Sequence, residues 1–372
     1  MPGAGPAKAP RVSVLLTTHN GAALLAESLD SILAQRFDGF ELVVVDDAST
    51  DATPALLAGY AARDPRLRVL RPDRSLGVVG ARNHGFAACR GAYVAMLDHD
   101  DLSHPDRLAT QAAYLDATPE VVLVGSEVLL LEAGRSRVTD HRAAASPLLL
   151  RWMLQVDNPL TWSSVMLRRA AVQKLSGFLR PEAEFADDFD LYHRLLAVGE
   201  VARLDAVLTT YRWHATNTSH HAGGLLFDRA VQVLAAAYAP WLGAEAMAAA
   251  TLVVRHLSDR QPVPDAATLA RLGGWLERLL AGFCARHAPA PAERAMVAEH
   301  AAGLWWRVVR SAMRAGQPLA IRQARAWPGL CRGQGKGQAP ALTDRLGSFG
   351  IGLLRTHPAG RRLLALGAGM RH

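Results

Sequence analysis

The chain has 372 residues, of which half are apolar and a fifth are charged. This composition is typical of a globular protein of about two domains and excludes a disordered or fibrous chain. The three cysteines, Cys89, Cys284 and Cys331, are far apart in the sequence, which excludes a disulfide framework and a cysteine-based zinc site. No apolar run approaches the roughly 18 residues of a membrane span, and segment 1–10 lacks a signal-peptide core. We therefore expect a cytoplasmic protein with a disordered segment at 1–10.

The positive charge is concentrated at the C-terminal end. The net charge is +7, and residues 301–372 hold 12 Lys/Arg against one acidic residue. Apolar rather than aromatic residues separate these arginines, which argues against a nucleic-acid partner bound by stacking. The pattern favours peripheral contact of the C-terminus with an anionic membrane surface, at the inner face of the cell membrane.

Strands and helices alternate along the first hundred residues. Short apolar runs predict four buried strands, at 12–16, 41–45, 67–70 and 92–97. Helical periodicity and capping residues predict the helices between them, at 22–35, at 53–62 and ending near Cys89. This alternation is typical of a parallel sheet with right-handed crossovers, so the predicted fold class is α/β.

The pattern continues less regularly to about residue 222. Further helices are predicted at 106–116, 147–155, 169–176 and 189–198. Further strands are predicted at 121–124, 127–132, 162–167 and 204–213. Beyond this point the sequence indicates Ala/Leu/Arg-rich helices without strands. We therefore predict an α/β domain at 11–222, a helical region at 225–327 and a basic, Pro/Gly-rich and amphipathic tail at 328–372.

An acidic tetrapeptide, Asp98-His99-Asp100-Asp101, directly follows the fourth predicted strand. Carboxylates two positions apart point the same way on an extended backbone. Hard divalent cations such as Mg²⁺ and Mn²⁺ take oxygen ligands of this kind. A solvated turn in which an aspartate caps the next helix explains the same residues, so this stretch alone leaves both interpretations open.

Polar residues also follow the first two predicted strands. Thr-Thr-His-Asn at 17–20 follows the first, and Asp46 and Asp47 follow the second. Ligands of open α/β sheets bind beyond the carboxyl ends of the strands, so these groups are expected to face one crevice that holds a metal and a nucleotide. The sequence has no GxGxxG after the first strand and no GxxxxGK[ST]. The sequence therefore lacks the main motif of a dinucleotide-dependent hydride transferase and that of a P-loop hydrolase.

The order of the motifs carries a family resemblance. The sequence contains Val-Ser-Val-Leu-Leu-Thr-Thr-His-Asn, then Val-Val-Val-Asp-Asp-Ala-Ser-Thr-Asp, then Ala-Arg-Asn-His-Gly, then Leu-Asp-His-Asp-Asp. Over residues 11–217 this order resembles the family 2 glycosyltransferases. The resemblance implies a GT-A fold, a mostly parallel, Rossmann-like sheet flanked by helices, here with a C-terminal helical extension. It also implies transfer of a sugar from a nucleotide diphosphate donor, usually with inversion at the anomeric carbon.

The resemblance assigns the donor site to the first two strand ends. The implied contacts to the base and ribose are Thr17, His19, Asn20, Asp46 and Asp47, of which Asp46 or Asp47 would contact the base. Arg82 and Asn83, which precede the fourth strand, are implied to help hold the donor. A helix start with an exposed arginine explains those two residues equally well.

The resemblance also identifies the acidic tetrapeptide as the DXD motif of the family. Asp100 would bind a divalent metal, Mn²⁺ or Mg²⁺, and Asp98 the ribose or a metal-bound water. Asp101 would be an additional ligand or an orienting group. Such a metal neutralises the charge that develops on the departing nucleoside diphosphate.

An inverting transfer requires a base for the acceptor hydroxyl. The family pattern Glu-Asp-Tyr-Asp-Leu-Trp-Leu-Arg corresponds here to Asp-Asp-Phe-Asp-Leu-Tyr-His-Arg at 187–194. Asp188 then matches the base, and Asp187 replaces the usual glutamate. A helix N-terminus favours the carboxylate form that a base needs, although both aspartates could simply cap the helix.

The last stretch of the resemblance is Tyr211-Arg-Trp-His214. It is similar to the loop that folds over the donor in this family, so that His214 would complete the metal shell or contact the diphosphate and Arg212 would contact a phosphate. Trp162 lies where acceptor-side residues usually fall, and it would stack on a sugar ring or belong to the core.

Two other functions are compatible with an α/β sheet that carries aspartates. A sugar-phosphate nucleotidyltransferase would need a Gly-rich basic loop after the first strand, which this sequence lacks. A non-catalytic nucleotide-sugar binding protein would explain the departure at Asp187. The leading hypothesis is an enzyme of cell-surface, exopolysaccharide or glycolipid synthesis with a carbohydrate or lipid-linked acceptor. The helical region carries no motif, and a partner surface, a homo-oligomer contact and a membrane dock all fit it.

Overall fold

The computed structural model describes residues 9–138, 146–214, 217, 223–317 and 326–331. The predicted N-terminal segment 1–10 and the basic tail 328–372 therefore lie almost entirely outside the described residues. The chain divides into two compact units. The first unit comprises Met1–Arg151 and Asn158–Arg229, and the second comprises Trp152–Asp157 and Ala230–His372.

The first four strands of the first unit form the parallel half of a sheet, as predicted. They are β1 (Val12–Thr18), β2 (Phe40–Asp46), β3 (Leu67–Leu70) and β4 (Tyr93–Asp98), in the spatial order β3-β2-β1-β4. The helices between them are α1 (Ala22–Leu33), α2 (Thr53–Arg63) and α3 (Gly77–Ala88). Parallel strands need such crossovers. Here each helix brings the chain back to the end of the sheet at which the next strand begins.

The second half of the sheet is mixed and joins the parallel half in the one sheet of the predicted α/β fold. Its strands are β5 (Leu102–Ser103), β6 (Val121–Glu132), β7 (Arg135–Val138), β8 (Met166–Arg168) and β9 (Glu200–Trp213). The order continues β4-β8-β6-β9-β5, with β7 paired to β6 as a hairpin. β8 runs antiparallel to both of its neighbours, while β6 and β9 are parallel.

Three predicted strands differ from the observed elements. The runs 121–124 and 127–132 form one strand, β6. Its pairing with β9 shifts register after Ser126, because Asp205 and Ala206 of β9 are extra residues between the partners of Ser126 and Glu127. The predicted strand 162–167 is instead a 3₁₀ turn, Trp162–Ser164, followed by β8. Ser164 donates to the Thr161 carbonyl through both its amide and its hydroxyl, a local pattern that competes with strand pairing.

Four further α-helices lie between residues 107 and 195 in the described part of the chain. They are α4 (Arg107–Ala117), α5 (Pro147–Met153), α6 (Arg169–Val172) and α7 (Asp187–Leu195). Helix α6 is shorter than the predicted 169–176. Helix α7 carries three aspartates in its first turn and His193 and Arg194 in its last. Negative side chains near the N-terminus and positive side chains near the C-terminus stabilise a helix through its dipole. The sequence therefore favours a helix that begins near Asp187.

The core of the first unit lies between the sheet and its helices. Apolar side chains of the central strands, such as Leu16, Val44 and Ala95, are fully buried against Leu25 and Leu29 of α1. Burial of side chains of this size contributes roughly 1.5–3 kcal/mol each. The carboxyl ends of β1, β2 and β4 are thereby held in register, which positions the polar residues that follow them.

The second unit is helical. Its main elements are Gly223–Leu242 (which begins in the first unit), Ala246–Val253, the π-helical turn Val254–Ser258, Ala266–His287, Pro291–Arg314 and the short helix Pro328–Cys331. Buried aromatic residues form its centre, with Trp152 packed edge-on against Phe283. Its N-terminal peptide is held by the Tyr238 hydroxyl, which donates to the Gln155 carbonyl.

One helical stretch of the described residues, Gly223–Ser258, is long and apolar enough to cross a membrane by length and composition. No such stretch was expected from the apolar runs of the sequence. Core helices meet the same criteria, and Leu234, Tyr238 and Val253 of this stretch are buried within the protein.

Candidate active site

A cleft of about 830 Å³ lies at the carboxyl ends of β1 and β4, within the first unit. Its walls combine the β1 end, the first turn of α7 and the end of β9. This is the position at which open α/β sheets bind ligands. The residues predicted for the site that line it are Thr17, His19, Asn20, Asp47, Arg82, Asp98, Asp100, Trp162, Asp187, Asp188 and His214.

The loop after β1 is hydrogen-bonded to the loop after β2. The Nδ1 atom of His19 lies 2.7 Å from the carbonyl oxygen of Asp47. The Oδ1 atom of Asn20 accepts from the amide of Thr50 at 2.8 Å, and Asn20 has a left-handed φ of 51°, which asparagine tolerates better than most residues. His19 and Asn20 therefore shape this end of the cleft as well as line it.

The two aspartates at the end of β2 have different surroundings. Asp46 is fully buried, forms an ion pair with Arg71 and accepts from the amide of Ser49. Asp47 lines the cleft, and its carboxylate accepts from the amides of Leu76 (2.7 Å) and Gly77 (3.0 Å) at the start of α3. Of the pair, Asp47 is the one placed to meet a ligand.

The acidic tetrapeptide forms a cluster in space. One oxygen each of Asp98, Asp100 and Asp101 lies within 4.8 Å of the others. The Nε2 atom of His214 lies 3.0 Å from Oδ2 of Asp100. Burial raises the pKa of Asp101 well above its usual range, and the charges of the other two aspartates add to this. A cation among these oxygens would remove the repulsion between like charges.

The donor set fits a hard divalent cation. All three carboxylates offer oxygen ligands, and the imidazole of His214 could supply a nitrogen. The Oδ2 atom of Asp101 is buried and has no hydrogen-bond partner among the described residues. A buried carboxylate oxygen without a partner is costly, and a metal ion would satisfy it.

Arg212 contacts the acidic cluster through both its side chain and its backbone. Its side chain ion-pairs with Glu27 of α1 (2.6 Å) and donates to the backbone carbonyl of Asp100. Its backbone amide donates to the Asp101 carboxylate at 3.0 Å. Arg212 is buried and these contacts direct its guanidinium toward α1, so the geometry favours a supporting role over the phosphate contact that the sequence analysis considered.

Arg82 lies between the acidic cluster and α7. Its guanidinium donates to Asp98 at 3.0 Å and to Asp187 at 2.8 Å. It also stacks over the Trp162 ring, 4.2 Å from the centroid. Trp162 is buried and one face of its ring is covered by this guanidinium, which argues against the predicted stacking of that face on a sugar.

Asn83 and Asp101 lie outside the cleft walls. The side-chain amide of Asn83 donates to the Leu179 carbonyl at 3.0 Å, and its oxygen accepts from the Leu179 amide at 2.9 Å. Asn83 therefore anchors the segment that leads to α7, although it follows Arg82 in the sequence. Asp101 is fully buried behind Asp98 and Asp100.

Asp188 has the environment expected of a general base. Its Oδ1 accepts from the amide of Phe189 at 2.7 Å, and its Oδ2 accepts from the side-chain amide of Asn158 at 2.8 Å. Burial, followed by the charge of Asp187, raises the pKa of Asp188 to about 7, although Arg82 acts in the opposite direction. The helix N-terminus was expected to keep the pKa low, but desolvation is the larger effect. A base works best with a pKa near the operating pH.

Three residues of this region were missed by sequence reasoning. Asn158 contacts the proposed base, and its Asn-Pro step was the available signal. Phe185 lines the cleft three residues before Asp188 with a left-handed φ of 74°, an outlier for a bulky residue. The hydroxyl of Tyr192 is buried without a hydrogen-bond partner in the described structure, and burial raises its pKa.

Known proteins share this sequence pattern and this fold. Residues 13–175 match the family model described as Glycosyl transferase family 2. The succinoglycan biosynthesis protein ExoO of Rhizobium meliloti is 42% identical over 129 residues, which are 35% of this chain and 36% of ExoO. The chain thus spans about a third of ExoO, and it spans 23% of an uncharacterised protein of Sinorhizobium fredii that is 32% identical over 210 residues.

The likeness to solved structures concerns the fold. Residues 1–349 of TarS from S. aureus superpose with a TM-score of 0.50 and 19% identity, over 86% of this chain and 88% of that one. This likeness confirms the predicted GT-A-type fold. The putative glycosyltransferase EpsE of Bacillus subtilis is 31% identical over 193 residues, which are 51% of this chain and 68% of EpsE. With the family match, this identity shows that the chain belongs to glycosyl transferase family 2.

Proposed function

We propose that this chain is an inverting glycosyltransferase that moves a sugar from a UDP- or GDP-sugar to an acceptor hydroxyl. The observation that supports this most is the meeting of two sets of carboxylates in one cleft. Asp98 and Asp100 lie at the end of β4, and Asp188 faces the same cleft from α7. Such a cleft can hold a leaving diphosphate at one end and an attacking hydroxyl at the other.

The donor would lie along the β1–β2 side of the cleft. Thr17, Asn20 and Asp47 line this side, and the Asp47 carboxylate would accept from a base or a ribose. Asp98, Asp100, Asp101 and His214 would hold a divalent metal, Mn²⁺ or Mg²⁺. When bound, this ion supplies positive charge against the diphosphate that leaves.

Asp188 would take the proton of the acceptor hydroxyl. The acceptor oxygen attacks the anomeric carbon from the side opposite the diphosphate, and the bond between that carbon and the diphosphate oxygen breaks with its electron pair. Attack from the opposite side inverts the anomeric configuration. Arg82, between Asp98 and Asp187, would keep the two ends of the cleft at a fixed distance.

The acceptor is proposed from the relatives. ExoO is named for succinoglycan biosynthesis, which supports a saccharide or lipid-linked saccharide of a cell-surface or exopolysaccharide pathway. The basic residues of 301–372 would suit contact of this chain with an anionic membrane surface. This membrane contact stays a proposal, because most of 328–372 lies outside the described residues.

The test is release of nucleoside diphosphate from a panel of UDP- and GDP-sugars, with and without Mn²⁺ and with saccharide acceptors. We expect metal-dependent release that rises with acceptor, and a product of inverted anomeric configuration by NMR. Donor binding without release for every acceptor would instead support the non-catalytic binding protein.

A further inference from the structure

We infer that Asn158 is the positioning residue of the general base, a role that rests on the proposed function of Asp188. The Nδ2 atom of Asn158 donates to Oδ2 of Asp188 at 2.8 Å, although the two residues are 30 positions apart. Both residues line the cleft. The contact therefore holds the carboxylate at the place where the acceptor hydroxyl would lose its proton.

The orientation of the Asn158 amide is set by a second hydrogen bond. Its Oδ1 atom accepts from the backbone amide of Leu160 at 3.2 Å. Because the oxygen is used by this N–H, the NH₂ group faces Asp188, and the opposite orientation would place two oxygens against each other. Asparagine commonly makes such a bond to the backbone two residues on.

The backbone that follows Asn158 is conformationally restricted. Pro159 restricts the conformation of the residue that precedes it. Pro159 and Leu160 are both buried, and Leu160 packs closely on Gly125 of β6. The donor N–H thus projects from a fixed segment, which is how a positioning residue reduces the freedom of a catalytic group.

Each carboxylate oxygen of Asp188 keeps a lone pair that can accept the proton of a substrate hydroxyl. Oδ1 accepts from the amide of Phe189 and Oδ2 from Asn158, and each carboxylate oxygen has a further lone pair. The ionisable groups around Asp188 include Asp187 and Tyr192 on α7 and Arg82 on α3. Asn158 adds a hydrogen bond that favours the ionised form without adding a charge that would weaken the base.

The test compares Asn158→Ala and Asn158→Asp with the wild-type chain. Asn158→Asp keeps the shape and the bond from Leu160 but replaces the donor with an oxygen that repels Asp188. We expect kcat to fall about tenfold or more in Asn158→Ala and further in Asn158→Asp, with the KM for the donor within about twofold. The acidic limb of the kcat/KM profile should move to higher pH in the same order, which a purely structural role would not produce.

Calorimetric titration with UDP and Mn²⁺ checks the fold of both variants, since the nucleotide side of the cleft is untouched. Wild-type kcat and an unshifted pH profile in Asn158→Ala and Asn158→Asp, with Asp188→Asn inactive, would overturn the role of Asn158 alone. Full activity of Asp188→Asn would overturn the proposed base and the inference with it.

Discussion

The guanidinium of Arg82 donates to the buried carboxylate of Asp187 at 2.8 Å and connects helix α3 to the first turn of α7. A second hydrogen bond, 3.0 Å long, joins the same guanidinium to Asp98 at the end of β4. Only 11% of the Arg82 side chain and 5% of the Asp187 side chain are exposed. The charges of this pair are therefore poorly screened by solvent.

Arg82→Met should destabilise the protein. The variant leaves Asp187 as a buried charge without its counterion, and breaking a buried pair in this way costs about 3–5 kcal/mol. Urea unfolding monitored by circular dichroism measures the loss. Arg36→Met is the matched control, because Arg36 pairs with Asp106 on the surface and is 72% exposed; it should cost less than about 1 kcal/mol. Equal losses in the two variants would contradict the buried ion pair.

The activity should depend on pH through Asp188. A base must be ionised, and the pKa of this carboxyl is raised to about 7 by burial and by Asp187. We therefore expect kcat/KM to fall about tenfold for each pH unit below 7 and to level off above it. An ordinary aspartate would place this limb near pH 4. A profile that stays flat down to pH 5 would refute the assignment.

Asp188→Asn should abolish transfer, because the amide cannot accept the hydroxyl proton. Donor affinity should stay nearly unchanged, since Asp188 belongs to α7, whereas the proposed donor contacts Thr17, Asn20 and Asp47 follow or end β1 and β2. Single-turnover rates and calorimetric titration with UDP measure the two effects separately. A variant that keeps the wild-type kcat shows that another residue is the base.

Asp100→Ala should remove the metal dependence of nucleotide binding. In the wild-type chain Mn²⁺ should tighten UDP binding, whereas in the variant the affinities with and without Mn²⁺ should converge, a loss of about 10- to 100-fold. Isothermal calorimetry measures both. Asp106→Ala, which removes an exposed carboxylate beyond the strand end, should keep the metal dependence. If Asp100→Ala keeps it as well, the metal ligands lie elsewhere.

Local sequence patterns predicted the strands and helices around the site. They did not predict which side chains of the site contact one another. The first four strands and the helices between them could be predicted because apolar runs and helical periodicity are local signals. Asp46 and Asp47 are adjacent, yet Arg71 binds the first and the second lines the cleft. That ion pair spans 25 positions and the contact of Arg82 with Asp187 spans 105. Partners at such separations are set by the packed fold and leave no local pattern.

The glycine of the Ala-Arg-Asn-His-Gly motif gives a prediction about packing. Gly85 faces the sheet from α3, and a Cβ atom there would lie 2.3 Å from Leu15 and 2.8 Å from Val45. Because both neighbours belong to the buried core, Gly85→Ala must push α3 away from β1 and β2. Overpacking of this kind costs about 1–3 kcal/mol.

Gly59→Ala is the matched control for Gly85→Ala. Gly59 lies in the interior of α2, is exposed, and has open space where its Cβ would be. Alanine is the better helix former by about 0.8–1 kcal/mol, so this variant should be stabilised while Gly85→Ala is destabilised. Thermal unfolding of both variants should therefore show melting temperatures that move in opposite directions. Helix α3 also carries Arg82, so Gly85→Ala should lower activity as well as stability, whereas a melting temperature unchanged from wild type would contradict the close approach of α3 to the sheet.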